Sequence, residues 1–171
     1  MPDQYRGAMI DAIETSIDPV LRRATTPDAA IIAAVTAAAY AKWVPIIGRK
    51  PVPMLADYAV AVRDHLIHVL ESEGTIIALI ELIPEPDCLL IENIAVLPAH
   101  AGCGHGRRLM AHADRVAADH RLGQVRLYTN RKMTSNIALY QQLGFAIDRE
   151  EVKDDGRIIV HMSKSVVTID Q

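Results

Sequence analysis

The segment that most restricts this chain reads Ile91-Glu92-Asn93-Ile94-Ala95-Val96-Leu97-Pro98-Ala99-His100-Ala101-Gly102-Cys103-Gly104-His105-Gly106-Arg107-Arg108-Leu109-Met110. An apolar, strand-like run passes into a loop with glycine at every second position, and the loop passes into a helix. Glycines let the backbone turn tightly and present successive N–H groups. The helix start adds its own unpaired N–H groups and the positive end of its dipole. Together they make an anion site suited to a pyrophosphate, with Arg107 and Arg108 on the first turn able to add charge from the side. A nucleotide P-loop would need Gly-Lys-Ser/Thr, and no lysine stands here. A dinucleotide fold would want GxGxxG and an acid at the end of the next strand. Here the spacing is Gly102, Gly104, Gly106, and the next strand ends in Tyr128-Thr129-Asn130. A glycine-rich turn with no ligand is the plain alternative.

The flanking sequence supplies the elements that this loop joins. Residues 19–26 read as a first strand, and Asp28 is placed to cap a helix over residues 29–41 with Ile31, Val35, Ala38 and Ala39 as its stripe. Pro45, Gly48, Pro51 and Pro53 break residues 43–53, and a short helix over about residues 54–63 follows. Residues 66–70, 75–83 and 88–97 are rich in Ile, Leu and Val, are separated by turn residues, and read as an antiparallel meander. A helix over residues 104–120 carries Leu109, Ala113, Val116 and Ala117 on one face. A strand at residues 124–129 and a helix at 134–143 come next, with Gly144 where a left-handed C-cap belongs. Residues 146–152 and 157–163 form a hairpin through Lys153-Asp154-Asp155-Gly156. This order predicts an α/β or α+β domain with one mixed sheet over residues 20–171, preceded by an N-terminal extension, residues 1–19, for which a helix is one option.

With two segments now in view, the chain resembles the GNAT superfamily of N-acetyltransferases. The family's acetyl-CoA loop follows Gln/Arg-x-x-Gly-x-Gly/Ala after an Ile-Ala-Val-x-Pro strand. Here the strand is Ile94 to Pro98 and the loop is Ala101-Gly102-Cys103-Gly104-His105-Gly106. Its second signature is Leu-Tyr-x-x-x-Gly-Phe, here Leu139-Tyr140-Gln141-Gln142-Leu143-Gly144-Phe145, with Asn136 upstream. Residues 75–163 carry the likeness well, and the first sixty residues carry it only by element order. Ala101 replaces the usual Gln/Arg, Cys103 a common Lys or Arg, and His105 a usual Ile or Leu. The commonest Asn of the second signature falls on Met133, and Asn136 sits where Ala is frequent.

The resemblance implies a mixed, mostly antiparallel sheet flanked by helices, with a splayed central strand pair holding the coenzyme between residues 91–97 and 124–130. It implies acetyl-CoA as co-substrate, held by Ile94, Ala95 and Val96 on the strand, by the loop from Ala101 to Arg107, and by Asn136 and Tyr140. A backbone N–H near Val96 would be the oxyanion donor. Acetyl transfer to an amine also needs a base for the ammonium proton and an acid for the departing thiolate. The similar enzymes put a carboxylate on this strand and a tyrosine hydroxyl near the sulfur, which makes Glu92 the candidate base and Tyr140 the candidate acid. Asn136 and Tyr140, four apart, share one helix face. Tyr128 is a poor base, being an unperturbed phenol.

The acceptor pocket is expected from residues 40–58, with Tyr40, Trp43, Met54 and Tyr58 as walls and Asp57 beside them. The stretch Ile47-Gly48-Arg49-Lys50-Pro51-Val52-Pro53-Met54 resembles one in a subgroup of uncharacterised bacterial acetyltransferases and gives no acceptor. A small-molecule amine and a peptide amine both remain open, as does a protein N-terminal or lysine acetyltransferase. A non-catalytic acyl-CoA-binding or regulatory domain is the alternative from another class.

Composition narrows the rest. The 171 residues are half apolar and 23% charged, with a formal net charge of −3 and no long basic run, which disfavours nucleic acid. The longest apolar stretches, at residues 75–84 and 88–98, are strand-length, so no membrane span is expected. Residues 1–18 make a poor signal peptide. Cys88 and Cys103 form neither a disulfide framework nor a zinc pattern, and the default compartment is the cytoplasm. No metal is expected. His65 and His68 should face opposite sides of their strand, and His105, His112 and His120 read as surface residues. Oligomeric state is left open, a homodimer included.

Overall fold

The computed structural model describes residues 17–167, so the first sixteen residues of the expected N-terminal extension lie outside the described residues. Among the described residues seven strands build one sheet: β1 (Val20–Arg23), β2 (Leu66–Ser72), β3 (Thr75–Pro84), β4 (Leu89–Val96), β5 (Gln124–Asn130), β6 (Ala146–Val152) and β7 (Ile158–Ser165). Their order is β1-β2-β3-β4-β5-β7-β6. Only β4 and β5 run parallel; every other neighbouring pair is antiparallel. This is the mixed, mostly antiparallel sheet that the sequence implied.

Helices cover both faces because the central strands are apolar on both sides. On one face, α4 (His105–Asp119) buries Leu109, Met110, Ala113, Val116 and Ala117, at the spacing of one helical stripe. It packs on Leu89, Ile91, Val125 and Leu127, joined by Tyr140 of α5 (Thr134–Gln142) and by Phe145. On the other face, α1 (Ala29–Tyr40) and α3 (Tyr58–Asp64) bring Ile32, Val35, Tyr58 and Val62 against Ile67, Val69, Leu79 and Ala95. The short α2 (Val44–Ile47) ends at Gly48, whose φ of +84° only glycine adopts readily.

Three local expectations change. The buried face of α1 is Ile32, Val35 and Thr36, while Ile31 is 48% exposed. Because α1 is apolar all round, periodicity could not select its inner face. Asp28 makes no capping bond to α1. Its carboxylate instead takes Arg22 and the Thr25 N–H, closing the turn before the helix. The helix expected over residues 54–63 divides into a tight turn, Val52–Leu55, and α3, because Asp57 breaks it and caps α3 through Ala59 and Val60 N–H. The helical run Thr26–Ile47 also has the length and composition of a membrane span, contrary to expectation. Yet Ile32, Val35, Thr36 and Trp43 within it are buried in this domain.

One histidine, His112, also departs from expectation. His112 of α4 is half-buried against His68 of β2, ring centroids 4.3 Å apart and edge to face. Burial holds the His68 imidazole down at about 4 and lowers that of His112, so both stay neutral at ordinary pH. His65 points to the opposite side of the sheet from His68, toward Glu81.

Candidate active site

A one-residue irregularity in β4 shapes the site. Leu82 of β3 pairs with Ile91 and Glu81 with Asn93, so Glu92 has no partner opposite it. Such a bulge breaks the alternation of side chains. Ile91 points to the α4 face, whereas Asn93 and Ala95 point to the α1 face. The bulge thus lies at Glu92 itself. Glu92 and Asn93, consecutive in sequence, share one side of the sheet and one cavity.

Their environments differ sharply. Asn93 is 2% exposed; its amide donates to Thr36 Oγ1 at 3.1 Å and Tyr58 Oη at 3.0 Å, and accepts from Tyr40 Oη at 3.0 Å. It ties α1 and α3 to the strand. Glu92 is half-exposed, and Tyr128 of β5 donates to its Oε1 at 2.8 Å. Burial, and then the bond to Glu92, raise the Tyr128 phenol far above its ordinary value. A phenol so hard to ionise serves as a donor that orients the carboxylate. Behind Glu92, a second acid, Glu81, is 3% exposed and bonded to His65 Nδ1 at 2.5 Å. Burial raises its pKa, and the His65 contact opposes that shift.

Beside the bulge the sheet opens. Strands β4 and β5 pair only over Leu89–Ile91 and Val125–Leu127. Beyond Ile91 they separate, which leaves a gap beside Ile94, Ala95 and Val96. A groove runs through it, lined by those three residues together with Ala39, Trp43, Ala101, Gly106, Met110 and Leu139. At its end stands the glycine loop. Gly102 and Gly104 have φ of +76° and +84°, the latter as the N-cap of α4, so both turns require glycine. No atom lies within 4 Å of where a side chain on Gly102, Gly104 or Gly106 would project. That clear space lets a ligand approach the backbone N–H groups. Cys103 and His105 border the loop; Arg107 is exposed and bonded to Gln142. Arg108 donates to Pro19 O at 2.6 Å and is committed to anchoring β1.

Tyr140 is fixed by the end of its helix. Phe145 N–H bonds Tyr140 O and Gly144 N–H bonds Gln141 O, with Gly144 at φ +94°. This is the Schellman arrangement, in which the residue after the glycine packs on the helix one turn back. That residue is Phe145, with its ring 6.1 Å from that of Tyr140 and edge-on to it. The Leu-Gly-Phe end of the second signature is therefore the clamp on the tyrosine. Burial lifts the Tyr140 phenol to about 12, so it is protonated and able to donate at neutral pH.

A second cavity, a cleft of about 600 Å³ partly open to solvent, adjoins the groove. Glu92, Tyr128, Met133 and the segment Ile47 to Pro53 enclose it. Tyr40, Asn136 and Tyr140 line both cleft and groove. Residues 32–145 match the model of the acetyltransferase (GNAT) family. The chain belongs to that family.

Solved structures agree in fold. The ribosomal-protein-S18-alanine N-acetyltransferase from Escherichia coli superposes with a TM-score of 0.72 at 19% identity, covering 90% of this chain and 97% of that one. An IAA acetyltransferase from Bacillus cereus gives 0.63 at 23%, covering 86% and 99%. The PaiA N-acetyltransferase from Thermoplasma acidophilum, solved with coenzyme A, gives 0.66 at 19%, covering 87% and 99%. No curated protein matches the sequence.

In this GNAT domain the four side chains expected to wall an acceptor pocket do not share one cavity, and Tyr58 lines a third one, beside Glu92 and Asn93. Of the four side chains named, only Tyr40 lines the cleft. Trp43 is buried on the groove side, with Lys42 over its ring. Tyr58 donates to Pro53 O at 2.7 Å and belongs to the Asn93 network. Met54 lies in the turn before α3 and borders neither cavity, and Asp57 is spent as a cap. The cleft draws instead on Arg49, Lys50, Tyr128, Asn130 and Arg157. Arg157 belongs to the β6–β7 hairpin, so no local pattern linked it to residues 40–58. Away from the site, Glu85, Asp87 and Cys88 bring three possible ligand atoms within 4.8 Å. Burial raises the Cys88 thiol to about 11, and the protonated thiol donates to Glu85 at 3.3 Å.

Proposed function

We propose that this acetyltransferase moves an acetyl group from acetyl-CoA directly to a primary amine, with Glu92 as base and Tyr140 as acid. One observation carries the reading. Among the described residues, Tyr40, Asn136 and Tyr140 form the shared wall of a groove ending at a glycine loop and a cleft containing a carboxylate. A thioester lying in the groove would have its carbonyl at that wall, within reach of an amine in the cleft. The glycine loop suits the pyrophosphate, and the gap beside Ile94 to Val96 suits the pantetheine arm with its amide groups.

In the step, the amine nitrogen bonds to the thioester carbonyl carbon and the carbon–sulfur bond breaks. The ammonium proton passes to Glu92, whose Oε2 receives no hydrogen bond among the described residues. The hydroxyl proton of Tyr140 passes to the departing thiolate, and the second proton that the nitrogen sheds on becoming an amide restores the phenol. A backbone N–H near Val96 would hold the developing oxyanion. The test is Glu92→Gln, which keeps shape and the Tyr128 bond but cannot take a proton. Turnover should fall by roughly 10²–10⁴-fold with acetyl-CoA affinity intact. Part of the loss should return at higher pH, where more amine is already deprotonated. Wild-type rates in the variant would remove Glu92 from the chemistry.

A further inference from the structure

The cleft has a second end. Besides the groove it adjoins a hollow formed by the β6–β7 turn and the residues just after β5. Cleft and hollow share Ile47, Arg49, Asn130 and Arg157. None of these four belongs to the junction at Tyr40, Asn136 and Tyr140. One end of the cleft therefore meets the thioester position, and the other meets this hollow.

Charge is distributed unevenly along that line. Five basic side chains, Arg49, Lys50, Arg131, Lys132 and Arg157, line the cleft and hollow against two carboxylates, Glu92 and Asp155. Asp155 is shared between Arg49 and Arg157, so a single carboxylate faces two guanidinium groups. Arg131 is paired with Glu150. Lys50 and Lys132 have no carboxylate partner among the described residues. The excess is local, because the whole chain carries a formal charge of −3. A concave site focuses such a potential, and a guanidinium fork fits a carboxylate in two-point fashion.

We propose that the acceptor is a small amine that also bears a carboxylate, its amino group at Glu92 and its carboxylate at the Arg49, Lys50 and Arg157 end. This rests on the reading of the Glu92 cleft as the acceptor site. The test is a set of matched amines assayed with acetyl-CoA: amino acids against their amides, and ω-amino acids against alkylamines of equal length. The carboxylate member should have kcat/KM about tenfold higher or more, carried by KM. Added salt should narrow the gap. Lys50→Gln and Arg157→Gln should each raise KM for the carboxylate member more than for its neutral partner, with melting curves recorded for both. Should either variant fail to fold, the salt series on the unaltered protein decides alone. Equal rates within pairs, or a preference indifferent to salt, overturn the carboxylate assignment and leave amine acetylation standing. If the protein binds acetyl-CoA but acetylates no amine, the acceptor reading beneath it falls as well.

Discussion

Asn93→Leu tests whether the polar network behind the cleft is a structural tie. Leucine keeps the branching but is bulkier than asparagine, so the change removes the hydrogen bonds without opening a cavity, and any overpacking adds to their loss. Three bonds vanish, to Thr36, Tyr58 and Tyr40. If each lost partner were left buried and unpaired, the cost would approach about 1–3 kcal/mol apiece. Two of them keep another bond, however: Tyr40 Oη lies 3.3 Å from Ile94 O, and Tyr58 Oη lies 2.7 Å from Pro53 O. The net value of about 1 kcal/mol per bond is then the better guide, and the expected loss is about 3 kcal/mol. For a domain of this size that lowers Tm by about 6–12 °C. Urea unfolding followed by circular dichroism measures it, with the midpoint falling and the slope unchanged. KM for the amine should also rise, because Tyr40 loses its anchor. A loss below about 1 kcal/mol would show that the network is not holding α1 and α3 to β4.

Three further perturbations separate the parts of the site. Gly104→Val forces a β-branched residue to φ +84° and fills the clear space over the loop. Calorimetry should show acetyl-CoA affinity lost while the protein still melts cooperatively. Tyr140→Phe keeps the ring against Phe145 and removes only the hydroxyl, so kcat should drop roughly 10²-fold with little change in KM or Tm. A stability loss with full turnover would make it a packing residue. Asp28, held at about 2 by Arg22 first and then by Thr25, contributes stability above the unfolded value of 3.8 that disappears as pH falls toward 2. Asp28→Asn should therefore cost about 1–3 kcal/mol at neutral pH and flatten that acid limb in melts recorded from pH 5 to 2.

Most strands, the helix after the glycine loop, and the cap at Gly144 were legible, because each rests on local rules of spacing or backbone freedom. The position of the bulge was half-legible. Glu92-Asn93 interrupts an apolar run with two adjacent polar residues, which a regular strand would send to opposite faces. What remained hidden depends on distant partners. Nothing near Asn93 announces that Thr36, Tyr40 and Tyr58 converge on it. Nothing near Arg157 announces that its hairpin folds back beside Arg49 and their shared Asp155. Trp43 and Tyr58 were expected in one acceptor wall as aromatics beside a proline-rich stretch, but composition cannot tell which side of that stretch a ring occupies.

The unpaired position of Glu92 has a consequence for how this sheet can change over generations. Deleting that one codon would leave Ile91 and Asn93 adjacent, opposite Leu82 and Glu81, in a regular ladder. Every side chain after the excision would keep its face, because the surplus residue alone absorbs the frame shift. The strand and its acid are thus separable units of inheritance. A lineage could drop the carboxylate in one step and retain the scaffold around it, whereas losing Asn93 by the same event would keep the frame but seat Glu92 opposite Glu81, in the place of the amide that ties α1 and α3 to the strand.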